Sequence, residues 1–294
     1  MTTIMPDLSI ILPSYSRADL LAACLRSILD HADGANLQII VVDDASAEHC
    51  VFMTARSFPG VEVIRLTERA GFCSAINAGL SRAQADIVQL LNDDTEVTPS
   101  WFHAPLRRFK DQPQLGSIAP LVLQWSNPSK IDSAGDGYDP GGYAYSRGKG
   151  ELLSERWLSG CEVFSAAGSA AFFRRKALVK VGGFPQDFIA YFDDIEVGFK
   201  LREAGYRCWY EPLSKVLHHG SASHGKRPSR RLAEQLACNE ERVFCRHLSP
   251  EHRWRNLTRH AAVLGAKALR RWSDGTLMPF CMGRVKAWGE RLKS

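Results

Sequence analysis

The chain has 294 residues, 45% apolar and 23% charged, long enough for one large domain or a domain with an extension, and too ordinary in composition for a disordered or fibrous protein. No run of about 18 apolar residues is present, Met1–Asp7 lacks the regions of a signal peptide, and the eight cysteines stand singly, so the expectation is a cytoplasmic protein with reduced, mostly buried thiols and neither a disulfide framework nor a zinc site. The net charge of +5 is uneven: residues 226–294 hold 16 Lys and Arg against 6 Asp and Glu, which leaves the first 225 residues net acidic and predicts two parts with different jobs.

In chain order, Leu8–Leu12 reads as a strand and Ala18–His31 as a helix with Leu21, Cys24, Leu25, Ile28 and Leu29 on one face. Leu37–Val42 and Val61–Leu66 read as further strands. A helix carrying Ile76, Gly79, Leu80 and Ala83 precedes a fourth strand at Asp86–Leu91. This alternation predicts right-handed crossovers and a doubly wound, mostly parallel sheet, with ligands beyond the carboxyl ends of its strands. Residues 126–160, rich in Gly, Ser and Tyr, read as a long loop. Strands follow near Cys161–Phe164 and Ser169–Phe173, then a helix at Arg175–Val181 broken by Gly182-Gly183. A helix at Ile195–Ala204 stops at Gly205. Cys208–Tyr210 and Lys215–Leu217 read as short strands, and Arg230 onward as helix, interrupted at Pro250 and around Gly275–Pro279.

Polar clusters sit at the ends of these elements. Asp43-Asp44 can accept from a nucleobase N–H or a ribose hydroxyl, or can form an Asx turn or helix cap. Asn92-Asp93-Asp94 offers hard oxygen ligands for Mg²⁺ or Mn²⁺ beside a diphosphate, or a polar turn. Gly71 opens a helix whose N–H groups can approach phosphate, or is a plain glycine turn. His218-His219 offers imidazole to a metal, or one buried and one surface histidine. Asp193-Asp194 opens a helix among aromatics. Like charges so close disfavour joint ionisation, which makes one carboxylate a proton acceptor near neutral pH. The first turn reads Pro13-Ser-Tyr-Ser-Arg17, not Gly-x-Gly-x-x-Gly, which excludes the dinucleotide fingerprint.

Seven segments in order resemble the inverting glycosyltransferases of family 2, with a GT-A fold, nearest to the rhamnosyltransferase and galactofuranosyltransferase-like branch. They are Ile10–Arg17, Val41–Ser46, Gly71–Gly79, Leu91–Thr95, Gly168–Arg175 with Gly182–Phe184, Tyr191–Glu196, and Val216–Gly220. The resemblance covers residues 8–225. It implies an α/β, GT-A-type, mixed but mostly parallel sheet flanked by helices, with a nucleotide-binding half (1–125), an acceptor half (126–225) and a basic helical extension (226–294). It implies that Pro13, Asp43 and Asp44 line the base and ribose site. Asn92 and Asp93 lie near ribose and diphosphate, and Arg69, Gly71 and Asn77 belong to the same donor site. Asp94 and His218 hold Mn²⁺ or Mg²⁺, Asp194 is the general base, and Asp193 supports a sugar. The sequence departs from the family pattern at Ser16 and Arg69, where Asn is usual, and at Asp193, where Glu is more frequent.

The implied partners are a UDP- or dTDP-sugar donor and a glycan or lipid-linked acceptor. Nucleic acid is not expected, for want of a recognition motif. In the tail, Leu257, Ala261, Leu264, Ala268 and Trp272 share a helical face beside Arg255, Arg259, Lys267, Arg270 and Arg271. Such a helix suits peripheral contact with the cytoplasmic face of the inner membrane, packing on the catalytic domain, or a homo-oligomer. Other readings of the chain are a catalytically silent sugar-nucleotide or glycan-binding module, and a nucleotidyltransferase, which the first turn disfavours for lack of a glycine-rich basic loop.

Overall fold

The computed structural model describes residues 5–220 and 229–291. These fall into two compact units, one within Met1–Asp136 and Ser146–Ser221, the other within Gly137–Tyr145 and Ala222–Ser294. The expected boundary at residues 225–226 lies outside the described residues. All eight cysteines are thiols.

The first unit starts with β1 (Leu8–Ser14), α1 (Ala18–Asp30), β2 (Leu37–Asp43), α2 (Cys50–Arg56), β3 (Val61–Arg65), α3 (Phe72–Arg82) and β4 (Ile87–Leu90). β1 is buried at every position, as a parallel strand covered on both faces must be, so Ile10–Pro13 reads as an apolar run, and buried Ser9 Oγ donates to Gln38 Oε1 at 2.7 Å. α1 buries Leu21, Cys24, Leu25 and Ile28, the stripe that 3.6-residue periodicity puts on one face. There follow β5 (Thr95–Val97), α4 (His103–Asp111), β6 (Leu115–Gln124) and β7 (Asn127–Ser133), then β8 (Asp136–Asp139) and β9 (Tyr143–Ser146), which lie mostly in the second unit, and, back in the first, β10 (Cys161–Val163), β11 (Phe172–Arg174), α5 (Arg175–Lys180), α6 (Asp193–Glu203) and β12 (Arg207–His218).

The main sheet runs β10-β12-β6-β11-β4-β1-β2-β3, with β5 also on β12 and β7 on β6. β3, β2, β1 and β4 are parallel, as are β6 and β12. β11 is antiparallel to both β4 and β6, so the two parallel groups point the same way. This is the expected mixed, mostly parallel sheet. Its core joins Leu12, Leu25, Val41, Trp101, Phe109 and Phe172. Trp101 is fully buried, and its Nε1–H donates to Gln89 Oε1 at 2.9 Å, so its one polar group carries no desolvation penalty.

Two sequence expectations need correction. Residues 126–160 are not one long loop, because β7, β8 and β9 lie in them. The first three residues of β7 are exposed, so that strand shows no apolar run. Cys208–Tyr210 and Lys215–Leu217 are one strand, β12, interrupted by a register shift between Glu211 and Lys215. Pro212 lies in that gap, where a missing N–H is tolerated.

The second unit contains α7 (Arg230–Arg246), α8 (Arg253–Ser273) and α9 (Leu277–Arg291). Ser229 caps α7, its Oγ accepting from Leu232 N–H at 3.2 Å. α9 packs on α7 closely enough at Gly283 that a Cβ would stand 2.2 Å from Glu234 O. The buried carboxylates Glu240 and Glu241 pair with Arg284, and Glu240 also with Lys267. His260 Nε2 lies 3.1 Å from Glu241. Buried charge is thus compensated inside the unit. The apolar face expected from Leu257, Ala261, Leu264, Ala268 and Trp272 is split: Ala261 and Trp272 are exposed and the others half-buried, while the buried residues of α8 are Asn256 and His260.

Candidate active site

Because β1, β2, β4, β6 and β12 run the same way, their carboxyl ends share one edge of the sheet. Ser14, Asp43, Gln124 and His218 end their strands there, and Asn92–Asp94 follow β4. The chain turns from β1 outward to β2 and β3, then returns to β4 on the other side of β1. The crevice between β1 and β4 is therefore the topological switch point, where doubly wound sheets bind ligands.

Ser14 Oγ donates to Asp93 Oδ2 across this crevice at 2.6 Å. Arg17, in the turn after β1, donates to Asp93 Oδ1 and Asp94 Oδ2, both at 2.6 Å. Burial raises Asp93 to about 6 against the opposing pull of Arg17 and Ser14. Burial pushes Asp94 up as well, but His218 and Arg17 outweigh it and hold Asp94 at about 2. The two neighbours are thus unlike: Asp94 is a firm anion, and Asp93 is an acid that titrates near neutrality.

His218 stands over Asp94, with Nε2 3.2 Å from Oδ1. Its Nδ1 lies 2.8 Å from Asp132 Oδ2 on β7. Burial lowers its pKa, but Asp132 and Asp94 together raise it to about 9. His219 is turned to Glu96, at 2.7 Å, and stacks on Trp125 at 4.4 Å. Among the described residues no group of three or more His, Cys, Asp or Glu forms a ready metal cage. Yet Asn92 Oδ1 is buried without a hydrogen-bond partner, and Asp94 Oδ1 meets the His218 ring at 3.2 Å. These two oxygens and an imidazole fit Mn²⁺ or Mg²⁺, provided that a diphosphate and water complete the shell.

Asp193 and Asp194 form the first turn of α6. Asp193 is buried and Asp194 half-buried. Asp194 Oδ2 accepts from Gly168 N–H at 3.3 Å, and Oδ1 from Ile195 N–H at 2.8 Å. Burial raises Asp194, and these N–H groups oppose it. Burial and then the Asp194 charge raise Asp193 to about 8. The next residue after Gly168 ties the two acidic segments together: Ser169 O accepts from Asn92 N–H at 2.9 Å. A single turn, Gly168-Ser169, therefore touches both the candidate base and the candidate metal segment.

The other predicted residues have settings of their own. Asp43 is fully buried, paired with Arg65, and accepts from Ser46 N–H at 2.7 Å, which is the Asx turn. Asp44 accepts from the N–H groups of Ala70, at 2.7 Å, and Gly71. Gly71 has a φ of +88°, and a Cβ there would stand 2.7 Å from Ile189 Cγ2, so only glycine fits. Asn77 is spent on one residue: its Nδ2 donates to Phe184 O at 2.8 Å and its Oδ1 accepts from Phe184 N–H at 2.9 Å. Pro13 is buried in β1. Arg69 is exposed, with its guanidinium 3.9 Å from the Tyr15 ring centre.

Sequence reasoning missed Arg17, Asp132 and Asp136. Arg17 had a signal, as a base in the turn after the first strand. Asp132 and Asp136 lay in the supposed loop. Asp136 accepts from Ser165 Oγ at 3.1 Å and Ser146 Oγ at 3.3 Å. Burial and the charge of Asp194 raise it well above the usual carboxylate range.

The sequence matches the model of the family described as Glycosyl transferase family 2 over residues 9–182. It is 26% identical over 263 residues to the N-acetylglucosaminyl-diphospho-decaprenol L-rhamnosyltransferase of Mycobacterium tuberculosis, covering 79% of this chain and 81% of that protein. It spans only 25% of a longer Sinorhizobium fredii relative. Its fold matches GalNAc-T7 with UDP, GalNAc and Mn²⁺ (TM-score 0.65, 16% identity, 82% of this chain, 48% of that one). It also matches the Pyrobaculum calidifontis mannosyltransferase PcManGT with GDP-Man and Mn²⁺ (TM-score 0.60, 20% identity, 97% of this chain, 88% of that one). The architecture is that of the GT-A glycosyltransferases, and with the match over residues 9–182 the chain belongs to glycosyl transferase family 2.

Proposed function

We propose that the chain is an inverting glycosyltransferase that moves a sugar from a UDP- or dTDP-sugar to a hydroxyl of a glycan or lipid-linked acceptor. The observation that carries this reading is the Gly168-Ser169 turn, bonded to Asp194 on one side and Asn92 on the other. A turn shared in this way would keep a base and a diphosphate site close enough to flank one reacting carbon, as in-line displacement requires.

Asp194 accepts the proton of the attacking hydroxyl as the new glycosidic bond forms and the nucleoside diphosphate departs from the opposite face. Its raised pKa makes it a stronger base than a free carboxylate. The Asp194 charge adds to burial in favouring the protonated form of Asp193, so the pair holds one proton more readily than it loses both. Asp94 and His218 would hold the divalent ion, with Asn92 beside them. When bound, that ion supplies Lewis-acid neutralisation of the leaving diphosphate. Arg17 keeps Asp94 ionised and oriented. The mycobacterial rhamnosyltransferase acts, by its name, on a decaprenol-linked acceptor, which supports a lipid-linked acceptor and work at the cytoplasmic face of a membrane. No described helix is long and apolar enough to cross one.

The test is a donor screen. Purified protein with Mn²⁺ is melted in the presence of UDP-, dTDP- and GDP-sugars, and the stabilising donor is then assayed for hydrolysis and transfer. Asp194→Asn is expected to lower transfer by roughly 10²–10⁴-fold while donor binding persists. No stabilisation by any donor, or full turnover of the variant, refutes the assignment.

A further inference from the structure

α8 buries polar residues and exposes its largest apolar ones. Its buried residues are Asn256 and His260, and His260 has its partners within the second unit. His260 Nδ1 lies 2.7 Å from Gly141 O, and its ring stacks on Phe244 at 3.6 Å. Its largest apolar side chains face outward instead: Trp254 is 79% exposed, Leu269 78% and Trp272 76%. At about 100° per residue, Trp254, Thr258, Ala261, Gly265, Leu269 and Trp272 fall in one stripe, in which Thr258 is the one polar side chain. The two tryptophans end it, roughly 27 Å apart at 1.5 Å per residue. α9 adds Met278, Met282 and Val285, all exposed. Scattered exposed apolar residues need no explanation, but an ordered stripe on a helix with a polar inner face does.

Charge selects the occupant. From Arg253 to Ser273 the helix carries six Lys and Arg and no Asp or Glu. Arg253 and Arg271 flank the stripe on one side and Arg255 on the other. A second copy of the chain laid on this face would bring like charges together. An anionic lipid surface complements them, tryptophan favours the headgroup level, and arginine can bury its stem while its guanidinium reaches phosphate.

We propose that the Trp254–Trp272 stripe of α8, with its flanking arginines, docks the protein on an anionic phospholipid surface. The inference deepens the membrane location given under the proposed function and rests on it for its purpose, which is to meet a lipid-linked acceptor. The contact itself needs none of the transfer chemistry.

The test is flotation of the full chain with vesicles of phosphatidylcholine alone or with phosphatidylglycerol added. Donor hydrolysis is measured in solution on the same preparations. The protein should float only with the anionic vesicles and be released by high salt. Trp254→Ser with Trp272→Ser should abolish flotation, and Arg253→Gln with Arg255→Gln should weaken it several-fold, all with unchanged circular dichroism. Absence of flotation, equal flotation on neutral vesicles, or full retention by the double tryptophan variant overturns the proposal. So does light scattering that reveals a dimer dissociated by Leu269→Glu. Flotation without hydrolysis by any donor counts against the transferase reading alone, and hydrolysis without flotation counts against the docking face alone.

Discussion

Arg17 grips Asp93 and Asp94 at once, its two terminal nitrogens each 2.6 Å from a carboxylate oxygen. One cation from the turn after β1 thus holds both acids of the segment after β4, some 77 residues along the chain. The guanidinium is partly exposed, with 35% of its side chain open, so solvent tempers the pair's worth. Arg17→Ala is expected to destabilise the metal-free protein by about 1–3 kcal/mol, the cost of leaving buried charged acceptors unpaired. Mn²⁺ should then restore more stability to the variant than it adds to the wild type, because Asp94 gains a free oxygen. Thermal melts with and without Mn²⁺ check this, and an equal Mn²⁺ shift in both proteins would refute it.

The Asp193 carboxyl, raised to about 8 by burial and by Asp194, sets a pH dependence. The folded state binds this proton more tightly than the unfolded chain does. Its contribution is fully present below the ordinary carboxylate range and is lost as pH rises toward 8. Metal-free protein should therefore weaken between pH 5 and pH 8, by at most about 1.4 kcal/mol per pH unit for one proton. Asp193→Asn should flatten that slope. Urea titrations across this range measure it, and parallel slopes for the two proteins would count against the assignment.

Ile189 sits at the centre of a γ-turn with φ of +64° and ψ of −57°, closed by Ala190 N–H donating to Phe188 O at 2.7 Å. Tyr191 and Phe192 also have positive φ. Such a conformation at a β-branched residue is strained, by about 1–3 kcal/mol. The strained segment leads directly into Asp193-Asp194. Ile189→Gly should stabilise the fold by about 1 kcal/mol and lower transfer by loosening the base. Denaturation and turnover together decide it, and an unchanged rate would separate the strain from the site.

Asn77 offers a contrast with its expected donor role. Its amide both donates to and accepts from the Phe184 backbone, which fastens α3 to the turn before α6. Asn77→Ala should cost about 1–3 kcal/mol of stability and leave donor affinity within twofold or so. Calorimetry with the donor found by screening checks this, and a lost affinity with intact stability would return Asn77 to the donor site.

Most of the nucleotide-side elements were legible because parallel strands covered on both faces are mostly apolar, as Ile10–Pro13 of β1 and Ile39–Val42 of β2 are. α1 was legible because its buried face repeats at helical spacing. β7 was not, since half of it is exposed and its Gly- and Ser-rich surroundings read as loop. Asp132 and Asp136 were hidden with that region. Neither aspartate carries any local mark, and each owes its setting to partners far along the chain: His218 for Asp132, and Ser165 for Asp136.

The sequence by itself determined the family, the first four parallel strands and the three acidic pairs, because local patterning and residue type are properties of short segments. The tertiary structure alone decided what each acid faces. Burial, strand direction and partners from distant segments made Asp94 an anion beside His218, Asp93 a weak acid under Arg17, Asp43 a structural tie to Arg65, and Asp194 the carboxylate held by Gly168. It also left Trp254, Leu269 and Trp272 of α8 exposed, since the side of that helix carrying His260 is the one placed to meet Gly141 and Glu241.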